Sequence, residues 1–343
     1  MKTAVITVVH GRATHLRNQL RGLRGSHQPP EQHVIVAVED PTVTDTVADC
    51  GAHATVVAWR APGAHLPVAH ARNLGAHTAL GEGAELLVFL DVDCIPAASL
   101  IGRYRQVAAQ HAHRDALLCG PVTYLPPCGP DGYDIASLDA HPDPHPARPA
   151  PPDGTVITST TYELFWSLSF ALTAPTWRRI GGFWPGYRGY GAEDTDFGQL
   201  AAASGVPLRW VGGAHAFHQH HPVSDPPVEH LADIVRNATL FHRRWGWWPM
   251  AGWLDQFDKL ALICRDQQGR PHLKTHAPLP FPHGSNTTTS TSDDAPALPW
   301  PATQNPCSSS LSEVVASAAT RRQPLERSVC AGKTPESKPT ARG

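Results

Sequence analysis

Short apolar runs alternate with segments of helical periodicity over the first 90 residues, and this alternation constrains the fold more than any other feature. The apolar runs predict strands at 4–9, 34–38, 54–58 and 86–90. Between them, helical spacing predicts helices over 15–23 and 69–80. Strands separated by helices indicate a parallel, doubly wound sheet with both faces covered. Such a sheet binds ligands beyond the carboxyl ends of its strands, so we expect chemistry just after residues 9, 38 and 90.

The remainder of the chain is less regular. Its apolar and periodic segments predict strands at 117–125 and 166–173 and helices at 195–204 and 227–245, and residues 208–211 form a further apolar run. Residues 126–154 are dense in Pro, Asp, Gly and His, which predicts a long irregular loop. From residue 276 onward, Ser, Thr and Pro dominate and apolar periodicity is lost, which predicts a disordered tail.

Charge and cysteine content exclude several classes of protein. The formal net charge of −2 does not suggest a nucleic-acid binder. The seven cysteines form no C-x-x-C pair and have irregular spacing, which argues against a structural zinc site and against a secreted disulfide framework. The first apolar run is too short for a signal sequence or a membrane span. We therefore expect a cytoplasmic protein.

Two carboxylates follow the apolar run at 86–90, in the triplet Asp91-Val92-Asp93. An unpaired buried carboxylate is costly, so a divalent cation is a natural partner. If the chain stayed extended, Asp91 and Asp93 would lie on the same side. Oxygen ligands suit Mg²⁺ or Mn²⁺. The alternative is a solvated strand exit, or a cap for the next helix.

A second acidic motif follows two glycines, in the segment Gly189-Tyr190-Gly191-Ala192-Glu193-Asp194. Glycines allow a tight turn and close approach of a substrate. The acids then supply a general base and a group that binds an acceptor hydroxyl. The alternative is that they are simply the acids that a helix N-terminus favours.

Three histidines lie close together at positions 218, 220 and 221. Neutral imidazoles are good ligands for Mn²⁺ and Zn²⁺. In a chain with 21 histidines, a surface cluster without function is an equal alternative. The residues leave open which of the three would bind a metal.

Taken in order, these motifs resemble the family 2 glycosyltransferases of the GT-A fold, and the C-terminal part is similar to the galactosyltransferase-type domain. The matching segments are Val5–Val9 followed by Arg12, the pair Glu39-Asp40, Ala71-Arg72-Asn73-Leu74-Gly75, Asp91-Val92-Asp93, Arg179-Ile180-Gly181-Gly182-Phe183, Tyr190–Asp194, His218 and Leu240–Leu254. The resemblance covers residues 1–265 and implies one GT-A domain, a Rossmann-like α/β fold. Residues 1–125 would bind the nucleotide sugar, 126–155 would form the Pro-rich loop, 156–265 would bind the acceptor, and 276–343 would be the tail.

The resemblance also implies an activity. It is the inverting, metal-dependent transfer of a hexose or N-acetylhexosamine from a UDP-sugar to a hydroxyl of a glycan or lipid-linked glycan, with Mn²⁺ or Mg²⁺ as cofactor. Asp194 would be the catalytic base, and the acceptor would contact Glu193, Tyr190 and Gly191. The implied donor-binding residues are Arg12, Asp40, Arg72, Asp91 and Asp93, and the implied metal ligands are Asp91, Asp93 and His218.

A tryptophan-rich segment, Trp245-Gly246-Trp247-Trp248, follows Arg243 and Arg244. We interpret it as a packing corner. The alternative is peripheral contact with a membrane that carries a glycolipid acceptor.

Two other functions compete with glycosyl transfer. A nucleotidyltransferase needs a basic, Gly-rich phosphate loop near the N-terminus, which Gly11-Arg12-Ala13-Thr14 does not supply. A non-catalytic carbohydrate- or nucleotide-binding protein would be expected to lose its acids, whereas both acidic pairs are present here.

Overall fold

An eight-stranded α/β sheet forms the centre of the computed structural model, which describes residues 1–61 and 65–274. The strands lie in the order β3-β2-β1-β4-β9-β6-β10-β8. Six run in one direction, while β9 and β8 are antiparallel to their neighbours. The bounds are β1 Thr3–Val9, β2 Gln32–Val38, β3 Thr55–Trp59, β4 Leu86–Leu90, β6 Leu117–Cys119, β8 Val156–Ser159, β9 Ser169–Thr173 and β10 Leu208–Val211.

Eight α-helices cover this sheet or pack beside it in the part of the chain described. They are α1 Ala13–Arg24, α2 Thr42–Asp49, α3 Val68–Gly81, α4 Leu100–Ala108, α5 Ala174–Ile180, α6 Glu193–Ala203, α7 Leu231–Trp245 and α8 Ala251–Lys259. Alternate residues of β1 face opposite layers: Ala4 and Ile6 pack with α3, α5 and α6, whereas Val5 packs with α4. Both faces are therefore covered, and the predicted doubly wound, mostly parallel α/β sheet is confirmed.

Two small sheets complete the described structure. One has the order β5-β11-β7, with β5 Cys94–Pro96, β7 Val122–Tyr124 and β11 Ala216–His218. The other pairs β12 Ile263–Arg265 with β13 Pro271–Leu273. The first small sheet begins where the main sheet's β4 ends, and it therefore carries side chains to the carboxyl edge.

Two sequence predictions need correction. The strand predicted over 117–125 is two strands in different sheets, because the extended conformation is interrupted at Gly120 and Pro121. A Cβ at Gly120 would overlap the carbonyl of Ala214, and proline cannot donate to a ladder. The loop predicted over 126–154 contains a short 3₁₀ helix at Ile135–Ala140.

The predicted tail at 276–343 lies outside the described residues. Within those residues, no helix is both long enough and apolar enough to cross a membrane.

Candidate active site

The Asp91–Asp93 triplet forms a turn at the end of β4. The N–H of Cys94 donates to the carbonyl oxygen of Asp91 at 2.8 Å, which closes the turn. The prediction that the chain stays extended here is therefore wrong, and strand alternation does not relate the two carboxylates. Gln19 of α1, which is fully buried, donates to the carbonyl oxygens of Asp91 (2.7 Å) and Cys94 (3.1 Å). A buried amide thus holds the turn in place.

The second carboxylate, Asp93, faces two imidazoles. Its Oδ2 lies 3.5 Å from Nε2 of His218 and 3.6 Å from Nε2 of His221. The three potential ligand atoms all lie within 4.8 Å of one another. His220 is exposed and outside this group. The structure therefore brings together His218 and His221, where the sequence left the choice among three histidines open.

This triad of Asp93, His218 and His221 fits a divalent ion. One carboxylate with two imidazoles suits transition ions such as Mn²⁺, whereas Mg²⁺ is usually bound through oxygen alone. Burial acts to raise the pKa of Asp93, but hydrogen bonds and charge from the two histidines hold it well below its usual range. Burial acts to lower the pKa of His218, yet Asp93 raises it above its usual value.

Asp91 lies outside that triad and pairs with Arg72 of α3. Nη2 of Arg72 lies 2.9 Å from Oδ1 of Asp91, and Nη1 lies 3.1 Å from Oε1 of Glu193. The guanidinium is buried and lies 5.2 Å from the centre of the Phe183 ring. Burial acts to lower the pKa of Arg72, but Asp91 and Glu193 raise it above its usual value. One arginine thus joins the two acidic motifs, and Asp91 as a metal ligand stays a prediction.

The second acidic motif is reached through a strained loop. Gly189, Gly191 and Ala192 have φ of 66°, 92° and 74°, in the left-handed region. A Cβ at Gly189 would overlap the Asp233 carboxylate, and one at Gly191 would lie 2.8 Å from the sulfur of Met250. Both glycines are therefore needed for close packing as well as for their backbone angles.

Side chains of helix α7 bind the backbone of this loop. Nδ2 of the buried Asn237 donates to the carbonyl oxygens of Arg188, Tyr190 and Gly191 at 2.9, 3.1 and 3.0 Å. The N–H of Tyr190 donates to Oδ2 of Asp233 at 3.2 Å. The loop that carries the predicted acceptor residues is therefore fixed mainly through its backbone.

Glu193 and Asp194 begin helix α6 and have different environments. Oδ1 of Asp194 accepts from the N–H (2.6 Å) and the hydroxyl (3.3 Å) of Thr195. Burial, together with the negative charge of Glu193, raises the pKa of Asp194 to about 7. Oε2 of Glu193 is buried and has no hydrogen-bond partner among the described residues. Asp194 is therefore a candidate general base near neutral pH, and Oε2 of Glu193 can accept a hydrogen bond from a ligand.

A third acid in the motif, Asp196, has a structural role that sequence reasoning missed. It is fully buried and accepts from Nε of Arg244 (2.7 Å), Nε1 of Trp245 (2.6 Å) and the hydroxyl of Tyr187 (3.2 Å). These bonds tie α6 to the end of α7. The only sequence signal was an acid within an otherwise apolar helical face.

The tryptophan-rich segment packs as a corner, as we interpreted it. Trp247 meets Phe241 edge to face at 4.6 Å between ring centres, and Trp248 stacks on His242 at 4.0 Å. Both indole rings therefore pack against side chains of helix α7.

Two predicted donor contacts lie at the ends of β1 and β2. Oδ2 of Asp40 accepts from the N–H of Gly11 at 2.8 Å, and Oδ1 accepts from the N–H (3.1 Å) and hydroxyl (2.7 Å) of Thr42. Arg12 immediately precedes α1, and burial together with the charge of Arg12 lowers the pKa of His15. Both residues therefore lie at the carboxyl edge where we expected the chemistry.

A second glutamine, Gln219, joins the triad to α1 and carried no signal in the sequence. Its backbone N–H donates to the carbonyl oxygen of Asp93 at 2.7 Å. Its side chain accepts from Nδ2 of Asn18 (2.8 Å) and donates to the carbonyl oxygen of His15 (3.1 Å). Gln219 thus fixes the approach of the histidines to the Asp91–Asp93 turn.

Comparison with known proteins adds a family match and several structural likenesses. Three solved structures that resemble the chain are GalNAc-T7 with UDP, GalNAc and Mn²⁺ (13% identity, TM-score 0.49, 71% of this chain and 48% of that one), S. aureus TarS 1–349 with UDP-GlcNAc (12%, 0.49, 75% and 76%) and the Pyrobaculum calidifontis mannosyltransferase PcManGT with GDP-Man and Mn²⁺ (16%, 0.43, 71% and 64%). The chain thus spans about half the length of the GalNAc-T7 structure. No curated protein matches the chain.

The family match covers residues 158–222 and is to the N-terminal domain of galactosyltransferase. This segment contains the acid pair at 193–194 and the histidines at 218 and 221. Residues 158–222 are therefore similar to a galactosyltransferase domain, in line with the resemblance noted for this part of the chain, which supplies the second acidic pair and the histidines.

Proposed function

We propose that this chain is an inverting, metal-dependent glycosyltransferase that moves a hexose or N-acetylhexosamine from a UDP-sugar to a hydroxyl of a glycan or glycolipid. The observation that carries the proposal is the double ion pair of Arg72. It joins Asp91 to Glu193, and so brings together acidic motifs that are about a hundred positions apart in sequence. The triad then lies beside one motif, and the candidate base lies beside the other.

The donor would bind in residues 1–125, at the carboxyl edge of the main sheet. Arg12 and Asp40 lie at strand ends there, and Arg72 and Asp91 continue the same polar edge. Asp93, His218 and His221 would hold a divalent ion, which when bound supplies positive charge to the departing diphosphate. The two imidazoles favour Mn²⁺ over Mg²⁺ for this position.

The acceptor would bind in residues 156–265, against the loop before α6. As the acceptor oxygen forms its bond to the anomeric carbon, the bond from that carbon to the diphosphate oxygen breaks and the electron pair leaves with UDP. Asp194 takes the proton of the hydroxyl, for which its raised pKa near 7 is suited. Oε2 of Glu193 accepts a hydrogen bond from a neighbouring hydroxyl of the acceptor, which would satisfy that buried atom.

The family match supports this choice of chemistry over the alternatives. Residues 158–222 match a galactosyltransferase domain, which favours a UDP-hexose as donor. A nucleotidyltransferase would need a basic phosphate loop after β1, whereas Gly11 and Asp40 are joined there by a hydrogen bond that closes the strand ends.

A donor screen tests the proposal. The protein is incubated with UDP-galactose, UDP-glucose and their N-acetylated forms in the presence of Mn²⁺, and release of UDP and thermal stabilisation are measured. We expect at least one donor to raise the melting temperature and to be slowly hydrolysed, because a ligand that binds the folded state stabilises it. Asp93→Asn, which removes the triad's carboxylate charge, is the matched variant. If no UDP-sugar stabilises the protein, or if Asp93→Asn releases UDP as fast as the wild type, the proposal is wrong.

A further inference from the structure

A buried arginine, Arg148, lies in the Pro-rich segment and takes no part in the site described above. The residue is only 5% exposed. Its Nε, Nη1 and Nη2 atoms are buried, and none of them has a hydrogen-bond partner among the described residues. A guanidinium carries five N–H donors and keeps its charge in proteins. Because a buried charge without a partner is strongly unfavourable, Arg148 needs an anionic partner.

Two indole rings contact this guanidinium. Its central carbon lies 4.9 Å from the centre of the Trp210 ring and 5.4 Å from the centre of the Trp166 ring. Aromatic rings attract a cation, but they supply no lone pair to the N–H groups along its edge. Trp210 is itself fully buried, and its Nε1 also has no hydrogen-bond partner among the described residues.

The unpartnered atoms of Arg148 and Trp210 cannot satisfy one another. A guanidinium and an indole N–H are donors only, so neither accepts from the other. Four buried nitrogen atoms on two side chains in contact therefore lack an acceptor in the part of the chain described. Nearly all buried polar groups in proteins are hydrogen-bonded, and an exception indicates a bound ion or water. The positive charge of Arg148 favours an anion over water.

Hydrogen bonds of the backbone hold both side chains in place. The N–H of Arg148 donates to the carbonyl oxygen of His145 at 3.1 Å, and the N–H of His145 donates to that of Val122 in β7 at 2.9 Å. Trp210 lies in β10, which is paired with β6 on one side and β8 on the other. The donors are therefore preorganised, which lowers the cost of binding a ligand to them.

Trp166 joins this buried arginine to the surface of the protein. It contacts the guanidinium, it is partly exposed, and its ring meets that of His145 edge to face with centres 5.3 Å apart. The His145 ring lies 5.1 Å from the Tyr124 ring, which stacks on His218 of the triad at 4.5 Å. A series of ring contacts thus leads from Arg148 to the candidate active site, and Trp166 is the candidate route for a small ligand.

We propose that Arg148, with Nε1 of Trp210 as a further donor, binds a carboxylate. A carboxylate carries one negative charge, which balances the single charge of the guanidinium, and its two oxygens match the two parallel N–H groups of an arginine. Phosphate would bring excess negative charge into a buried place, and chloride has no pair of oxygens. The carboxylate is either a free small acid or the acid group of a uronic acid in the acceptor. Only the second source rests on the proposed function.

Titration of the full chain with formate tests the site. The probe is isotope-labelled formate in a buffer free of other carboxylates, and NMR line broadening gives the dissociation constant. Formate has three non-hydrogen atoms, so we expect a dissociation constant on the order of 1 mM. Arg148→Met has a similar size without charge or donors, and should weaken binding at least about tenfold. Arg178→Met is the matched control, because it removes the same charge at an exposed position of α5.

The outcomes decide both the site and its ligand. No saturable formate binding by the wild type, or equal binding by Arg148→Met, would overturn the site and leave water as the partner of the buried donors. Displacement of formate by chloride or phosphate at equal concentration would overturn the choice of a carboxylate. If Arg148→Met does not fold, Arg148→Lys replaces it, since lysine keeps the charge but lacks the two parallel donors and should also weaken binding about tenfold.

Two sugars then distinguish the sources of the carboxylate. Methyl glucuronide and methyl glucoside differ in the acid group alone, and each is titrated against bound formate. Displacement by the glucuronide only would assign the carboxylate to an acidic acceptor. Displacement by neither sugar would assign it to a free small acid, and both results support the site. Because these titrations contain no UDP-sugar, a protein that fails the donor screen can still pass them, and the reverse.

Discussion

The two sides of the candidate site are held in place by different kinds of interaction. On the triad side, neutral donors fix the backbone: the side chain of Gln19 donates to the carbonyl oxygens of Asp91 and Cys94, and the backbone N–H of Gln219 donates to that of Asp93. On the acid side, buried ion pairs fix side chains, with Arg72 on Glu193 and Arg244 on Asp196. Arg72 also pairs with Asp91 of the turn, so this one guanidinium is shared by the two sides. Apart from that shared pair, the turn is held through its backbone and the acid side through its side chains.

The largest expected effect concerns the base itself. Asp194→Asn keeps the shape of the side chain but cannot take a proton, so we expect the rate of sugar transfer to fall by about 10²–10⁴-fold. Donor affinity, measured by calorimetry with a UDP-sugar and Mn²⁺, should stay close to the wild-type value because Asp194 lies on the acid side. A variant that keeps the full transfer rate would show that another group is the base.

The contrast between the buried ion pairs and the neutral hydrogen bonds can be tested by measuring the free energy of unfolding of variants that lack one or the other. Arg244→Ala leaves the fully buried Asp196 without its cation, which should lower the free energy of unfolding at pH 7 by about 3–5 kcal/mol. Gln19→Ala removes neutral hydrogen bonds and should cost about 1–3 kcal/mol. Arg243→Ala, at the exposed neighbouring position, is the control and should stay within about 0.5 kcal/mol. Urea unfolding measures all three, and a larger loss for Gln19→Ala than for Arg244→Ala would reverse the comparison.

Substitution of His218 or His221 should weaken Mn²⁺ binding, whereas substitution of the neighbouring His220 should not. We expect His218→Ala and His221→Ala each to weaken Mn²⁺ binding by more than about 10–100-fold, the loss that follows from removing only an outer partner of a metal. His220→Ala should bind Mn²⁺ like the wild type, since His220 lies outside the triad. Calorimetric titration with Mn²⁺ measures the affinities. Equal losses for His220→Ala and His221→Ala would show that the triad is assigned wrongly.

The smallest expected effect is a shift in pH dependence. Because Asp194 acts as a base only when deprotonated and its pKa is raised to about 7, transfer should accelerate as pH rises through 7 and then level off. Glu193→Gln removes the negative neighbour that helps to raise this pKa, so the midpoint should move to lower pH whatever happens to the maximal rate. The profile of kcat against pH at saturating donor and Mn²⁺ measures the midpoint. A midpoint that moves upward would contradict the assignment.

The sequence predicted the sheet well because its signals are local. Apolar runs such as Leu86–Leu90 match observed strands, since a strand buried on both faces needs continuous apolar residues. The predicted strand over 117–125 failed because its division depends on the contact of Gly120 with Ala214, which lies far along the chain. Helix α4 was not predicted at all, although Leu100, Ile101 and Tyr104 give it a buried face.

The site was predicted by its residue types rather than by its geometry. Asp93 and His218 are brought together as the resemblance implies, and no feature of composition could have shown that Asp91 pairs with Arg72. The supporting amides Gln19 and Gln219 were missed because glutamine is common on helices and in loops, and their partners are backbone atoms distant in sequence.

The central position of β11 in the small sheet limits how this chain can vary in length. His218 is aligned with Cys94 on one side and with Tyr124 on the other. Because side chains alternate along a strand, one residue inserted between β10 and β11 would bring Phe217 to the place of the imidazole and shift the pairing with both neighbouring strands. Changes in loop length should therefore be tolerated in the Pro-rich segment 126–155 far better than at 212–215, where a changed length would displace the imidazole of His218.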